Sequence, residues 1–369
     1  MAEKHEGQGA AARAQRKAAN QAERLARRAA NQARRAGAAP LKPGAFNILI
    51  VAQQGRIGRE ALLFAASLRR SAPDWRGRLI VAEPLPEAAW SGAAVALEPD
   101  LRAALQSLGA EIRPFVARHF GRAYPHGNKI EALAVLPADE PFVFFDSDTL
   151  ITGPLDRLAG NFSRPSASMR RSATWPEPPL YGPGFGEIWK SLYDRFGLDF
   201  EASLDLRHPD EDWERYLYFN AGWFLGPDPQ LFGRLFLDWA VAVRDDPGEA
   251  LACQSLDPWL DQVVLPLVIH ALGGGRPGPE LAGLDSDLTC HYRSLPLLYA
   301  REPRAASQLV EALMRDPDLA RHFAEDAAMR ELVTAGDGAT RVRALIPDPA
   351  AISEKTMRQR LKAAGLWFR

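Results

Sequence analysis

Cysteine is nearly absent from this chain, with Cys253 and Cys290 alone among 369 residues. Two thiols can build neither a disulfide framework nor an all-cysteine zinc site, so the sequence favours a reducing compartment. Net charge is also nearly absent, at −1, which argues against a molecule that grips nucleic acid by overall charge. Long apolar runs are missing. The most apolar stretch, VVLPLVIHALGGG at 263–275, is interrupted by Pro266 and His270 and is too short to cross a bilayer. The amino-terminal stretch lacks the apolar centre of a secretory signal. No repeat of solenoid period is present. The segment AQQGRIGRE, Ala52–Glu60, lacks the G-x-G-x-x-G spacing of a dinucleotide fingerprint. What remains is a cytoplasmic globular protein, and a hydrophobic content of 47% is enough for a sizeable core.

The near-zero charge hides an asymmetry. Residues 1–40 hold nine Lys or Arg against three Glu, a net of +6, which leaves about −7 for the rest. Leu25 is the only large apolar residue there besides the first Met, so no core face exists. The expectation is a disordered or loosely helical tail at 1–40, whose charge also suits contact with an anionic membrane or nucleic acid. PLKPG at 40–44 reads as the linker that ends it. At the other end, EKTMRQRLKAAGLWFR is basic and carries Met357, Leu361, Leu366, Trp367 and Phe368. That pattern suits a terminal helix docked on the domain, which is the favoured reading, or one lying at a membrane interface. Peripheral contact with the inner face of a membrane through the basic termini is thus a second expectation; specific nucleic-acid binding is not expected.

Between these ends, buried-strand runs alternate with helical patterns. FNILIVA (Phe46–Ala52), RLIVAE (Arg78–Glu83), AEIRPF (Ala110–Phe115), PFVFF (Pro141–Phe145) and YFNAGWFLG (Tyr218–Gly226) read as strands. GREALLFAASLRR and EPDLRAALQSLG read as helices between them. A further helix is predicted from Asn128 as N-cap, with Ile130, Leu133, Ala134 and Leu136 inward. Later helices cover residues 230–246 and the run that ends at Gly273–Gly275. Strand–helix alternation predicts an α/β domain with a mostly parallel sheet and flanking helices. We assign it to 41–300, followed by a helical C-terminal extension at 301–369.

The chemistry-bearing stretch is FVFFDSDTL, Phe142–Leu150. A dry strand ends there in two carboxylates, Asp146 and Asp148, which point the same way along an extended chain. Like charges side by side repel unless a cation lies between them, and oxygen ligands suit Mg²⁺ or Mn²⁺. In open α/β sheets ligands bind beyond the carboxyl ends of strands, which is where this pair sits. A lone D-x-D is a weak signal, because Asp210/Asp212, Asp285/Asp287 and Asp316/Asp318 repeat it; only the first pair is delivered by a buried strand.

Several further pieces occur in order: Lys129 at a helix start, Asp146-Ser147-Asp148, Phe219-Asn220-Ala221-Gly222, Asp261-Gln262 and His291-Tyr292. With these, residues 45–300 resemble a GT-A fold glycosyltransferase, most similar to the family 8 group that includes glycogenin and bacterial lipopolysaccharide galactosyltransferases. The resemblance implies a Rossmann-like fold, a nucleoside diphosphate sugar as donor and a glycan, lipid or protein as acceptor. It implies Asp146, Asp148 and His291 as metal ligands, the nitrogen ligand tilting the choice toward Mn²⁺ over Mg²⁺. It implies Lys129 beside the phosphates, Gly222 as room for a sugar, Asn220, Asp261 and Gln262 lining that sugar, and retention of anomeric configuration. This chain departs from the group in two places. HYRSLPLLYA lacks the Gly and Lys-Pro-Trp that usually follow the histidine, which leaves Arg293 as the candidate phosphate contact. Gln53 and Gln54 stand where the group carries an acidic or amide residue near the base. Acceptor contacts are expected in residues 172–196 and in the C-terminal part. Two other readings stay open. VFFDSDTL is similar to the first motif of haloacid dehalogenase-type phosphatases, with Asp146 as nucleophile and Asp148 as acid/base. The chain could also be non-catalytic, a degenerate glycosyltransferase fold that binds a nucleotide or scaffolds an assembly through its basic tail.

Overall fold

The computed structural model describes residues 46–158, 162–171, 175–334 and 336–368. The basic tail and its linker lie outside the described residues. The apolar runs form the strands as the sequence predicts: β1 (Asn47–Val51), β2 (Leu79–Pro84), β3 (Ala110–Phe115) and β4 (Phe142–Phe145). They run parallel in the order β3-β2-β1-β4. Side chains alternate across a strand, so unbroken apolar runs fill cores on both faces. Val143 and Phe145 join Ile48 and Ile50 in one core, while Phe142 and Phe144 join Leu49 in the other.

Two strands extend the sheet beyond β4: β6 (Ser166–Ser168) and β7 (Asn220–Gly226). β7 pairs antiparallel with both β4 and β6, so it alone opposes the common direction and the sheet is mixed but mostly parallel. Two short strands, β5 (Thr149–Ile151) and β8 (Thr289–His291), form a separate antiparallel ladder. These two and β6 are only three residues long, below what apolar periodicity can signal.

Helices cover both faces. α1 (Arg56–Ser71) follows β1 through Gly55, whose φ of 83° suits glycine. It buries Ala61, Leu62, Ala65 and Leu68. α2 (Pro99–Ser107) precedes β3. The helix predicted from Asn128 is shorter than expected: α3 spans Asn128–Glu131 and continues as a 3-10 turn to Val135. Asn128 is not its cap, because its amide bonds Trp90 and Gln53 instead, and Ala134 is exposed. α4 (Phe185–Phe196), α5 (Pro229–Asp245) and α6 (Leu260–Ala271) pack on the second core.

From α7 (Leu295–Arg301) onward the chain is helical, through α8 (Arg304–Leu313), α9 (Gly338–Leu345) and α10 (Glu354–Ala363). The extension shares the core that α1 faces. Met357, Leu361 and Leu366 are buried in it, with Trp367 and Phe368 packed alongside. The apolar side of the last helix is therefore turned inward, and the membrane-interface reading of this terminus fails. No helix among the described residues is long and apolar enough to cross a membrane.

The chain leaves β1 toward β2 and β3, then returns to place β4 on β1's other side. The crevice at that reversal, outside the carboxyl ends of β1 and β4, is where open α/β sheets bind ligands. Gln53 and Gln54 follow β1 there, and Asp146 and Asp148 follow β4.

Candidate active site

Asp146 is fixed by its backbone first. β4 and β7 pair Phe145 with Trp223, and the Asp146 N–H donates to the Gly222 carbonyl at 2.9 Å. The chain then turns at once into β5, whose partner β8 ends in His291. Thr149 pairs with His291, and the Tyr292 N–H donates to the Asp148 carbonyl at 3.0 Å. The small ladder thus carries an imidazole from more than 140 residues downstream to the acidic pair. His291 Nε2 lies 3.1 Å from Asp148 Oδ1 and 3.8 Å from Asp146 Oδ2. Ligand atoms of all three lie within 4.8 Å of one another. Adjacent ligands of an octahedral ion with bonds of about 2.1 Å stand about 3 Å apart, so this set fits Mg²⁺ or Mn²⁺. Burial opposes ionisation of Asp148, but His291, Arg56 and Lys129 hold its carboxyl down at about 2.

The missing side chain of Gly222 has a definite neighbour. A Cβ there would stand 2.2 Å from His291 Nδ1 and 2.6 Å from Cε1. The missing side chain admits the imidazole against the strand, where the sequence suggests room for a sugar.

Behind the acids sits a buried cation. Lys129 Nζ lies 2.9 Å from Asp146 Oδ1 and 3.1 Å from Asp261 Oδ2, and also donates to the Ala221 carbonyl. Burial alone would lower its pKa, but Asp146 and Asp261 hold it above the ordinary lysine value. The Tyr124 hydroxyl donates to Asp261 Oδ1 at 2.7 Å, and its oxygen accepts the Asp261 N–H. Both Asp261 oxygens are therefore engaged, and Lys129 orients Asp146 from within the protein. Asn220 Oδ1 accepts from the Gly222 N–H at 2.8 Å, and Gln262 Oε1 accepts from the Tyr218 hydroxyl at 2.9 Å. Gln53 Oε1 accepts from the Asn128 amide, and Gln54 is exposed beside it. Arg293, in the left-handed region at φ 62°, bonds Glu354 of α10 at 2.8 Å.

The sequence signal missed several members. Arg56 and Glu60 pair on the first turns of α1. Burial and the charge of Asp148 push the Glu60 carboxyl up to about 8. Only the position of α1 after β1 could have drawn attention to it. Tyr124 carried no pattern at all. The other D-x-D pairs serve elsewhere. Asp285 accepts from Trp223 Nε1 and from Ser168 Oγ, while Asp316 caps a short helix at Pro317–Ala320. Asp212 joins His208 and Glu214 in a partly exposed second cluster.

Among solved structures, the chain is similar to the galactosyltransferase LgtC, crystallised with donor and acceptor sugar analogs, at 16% identity. That match covers 73% of this chain and 96% of that one with a TM-score of 0.42. It is similar to the glycosyltransferase GlyE of Streptococcus pneumoniae TIGR4 at 13% identity, covering 76% and 64% with a TM-score of 0.38. The bifunctional WbbM matches at 11% identity, covering 77% and 52% with a TM-score of 0.40. No curated protein matches the sequence. The family model described as the Rhodobacterales glycosyltransferase domain matches residues 48–273, a span that holds β1 to α6, the acidic pair, Lys129 and Asp261. With well over half its length matched, the chain belongs to the Rhodobacterales glycosyltransferase domain family.

Proposed function

We propose that this glycosyltransferase draws its sugar from a nucleoside diphosphate sugar and uses Mn²⁺, with Mg²⁺ as the weaker alternative, held by Asp146, Asp148 and His291. One observation carries the reading: three ligand atoms from β4, its following turn and β8 converge within 4.8 Å at the carboxyl edge of the sheet. A cation bound there would offset the charge that develops on the departing diphosphate.

The chain's own residues prepare that chemistry. Lys129 and the Gly222 carbonyl fix Asp146 from two sides. The gap left at Gly222 seats His291. Asp261, with both oxygens engaged, acts through Lys129. That arrangement supports leaving-group stabilisation; retention of anomeric configuration is proposed from the family 8 resemblance. Gln53 and Gln54, which follow β1 at the same edge, are proposed to meet the base, and Arg293, which lines one cavity with His291, to meet the phosphates. For the acceptor, whether glycan, lipid or protein, the strongest candidate surface is residues 175–196, where Leu180 and Tyr181 are 87% and 93% exposed. Family membership sets the phosphatase reading aside.

A thermal-shift panel of nucleoside diphosphates and their sugars with Mn²⁺ tests the proposal. One nucleotide should raise Tm, and its sugar should be slowly hydrolysed. Asp148→Ala should lower that hydrolysis by about a hundredfold or more. If no nucleoside diphosphate binds with or without Mn²⁺, the donor reading is wrong and the scaffold alternative without nucleotide remains.

A further inference from the structure

Beyond His291 the crevice opens into a cavity of about 400 Å³ lined by Arg170, Arg171, Arg293, Arg301 and Glu354, with the apolar side chains of residues 349–357 as one wall. Four guanidiniums around one cavity repel one another unless anions lie among them. The protein supplies two. Glu302 takes Arg170 through both oxygens at 2.8 Å and also meets Arg301. Glu354, the first residue of α10, places one oxygen between Arg293 at 2.8 Å and Arg301 at 2.5 Å, and the other against Arg358. One carboxylate thus serves three arginines. Arg171 makes no ion pair among the described residues, and Glu214 and Asp212 act on it only from farther away. Its Nη1 donates to the Tyr218 carbonyl, its plane lies 4.6 Å from the Trp213 ring centre, and its Nε is buried with no hydrogen-bond partner. A buried guanidinium donor left unbonded is costly, and planar forks of this kind match phosphate oxygens.

We infer that this cavity is an oxyanion site for a phosphate-type group, bound by Arg171, Arg293 and Arg301, and that Glu354 occupies it in the free protein. The incoming anion takes the two guanidiniums that share the Glu354 oxygen and meets Arg171, which lines the same cavity. Binding there is thereby coupled to how the C-terminal extension docks. Two sources carry the same chemistry: the diphosphate of the donor, reached past His291, or an acidic group on the acceptor. Assignment to one of them rests on the donor reading above; the anion site itself does not.

The test titrates full-length protein with inorganic pyrophosphate by calorimetry, in EDTA so that no cation contributes. Pyrophosphate should bind, about tenfold or more weaker in Arg171→Gln, partly restored in Arg171→Lys, and several-fold tighter in Glu354→Gln. Arg171→Gln leaves the ion pairs of Glu302 and Glu354 in place, so its fold should persist, as circular dichroism would verify. Absence of binding in both the wild type and Glu354→Gln, or affinity indifferent to Arg171→Gln, would overturn the inference. Repeating the titration with Mn²⁺ and a saturating nucleoside diphosphate separates the sources. Loss of pyrophosphate binding assigns the cavity to the donor, and persistence assigns it to an acidic acceptor. Failure of Mn²⁺ to bind at Asp146 and Asp148 would leave the result in EDTA intact, so the two readings fail separately.

Discussion

At the scale of single residues, the site depends on one missing side chain and one hidden charge. Gly222→Ala would put a methyl group 2.2 Å from His291 Nδ1, so the imidazole must swing away. We expect Mn²⁺ affinity to fall by about 10- to 100-fold while the apo protein keeps its fold. In a His291→Ala background the same substitution should add little, and a double-mutant cycle by Mn²⁺ titration checks this. Lys129 is 6% exposed and holds two carboxylates. Lys129→Met strands Asp261 in the core and should cost about 3–5 kcal/mol in urea unfolding. Adding Asp261→Asn should recover part of that loss; no recovery would mean the pair is not the stabilising unit.

At the scale of elements, two short pieces decide more than their length suggests. β5 and β8 pair three residues each, and that ladder, with the gap at Gly222, brings His291 to Asp148. α10 is held partly by Glu354. Burial opposes its ionisation, but Arg293, Arg301 and Arg358 together hold its carboxyl below the ordinary glutamate value. A folded pKa below the unfolded one means the unfolded state binds more protons, so stability from Glu354 is present above the ordinary value of about 4.3 and fades as pH falls through the folded one. Tm should therefore drop more steeply from pH 5 to pH 3 in the wild type than in Glu354→Gln. Parallel curves would show that this carboxylate does not anchor the helix.

At the scale of the whole molecule, the two basic ends separate. The C-terminal helix buries Met357, Leu361 and Leu366, so it offers no apolar face to a lipid surface. Residues 1–40 keep their net positive charge. Any binding to vesicles rich in phosphatidylserine should be electrostatic, weaken with salt and vanish when residues 1–40 are deleted. Deleting 355–369 should instead lower Tm by exposing the core. A flotation assay on the two truncations distinguishes these, and vesicle binding that survives loss of 1–40 would refute the assignment.

Much of this was legible in the sequence because burial leaves a local record. Runs such as FNILIV and FVFF announce strands covered on both faces, and a D-x-D behind one of them marks the rim. The order of Lys129, the acidic pair, the F-N-A-G strand and Asp261-Gln262 was readable too. What the sequence could not state was which atoms meet. Gly222 reads as space for a ligand, and the sequence does not show that the same gap seats His291. Lys129 reads as a phosphate contact, yet two carboxylates enclose it. Tyr124, Glu60, Arg171 and Glu354 enter the site or its neighbour from four separate segments with no motif among them.

The sequence by itself determined the α/β alternation, the buried strands and the position of the acidic pair at a strand's end. These follow from hydrophobic periodicity and chain direction, which are properties of neighbours along the chain. Only the tertiary structure decided how His291 reaches the acids that the resemblance pairs it with, that Lys129 turns inward, and that three arginines close around Glu354. The long-range contacts among these span 53 to 143 residues, and no local pattern encodes their geometry. They are set where packing of both cores brings strand ends, loops and the last helix to one edge of the sheet.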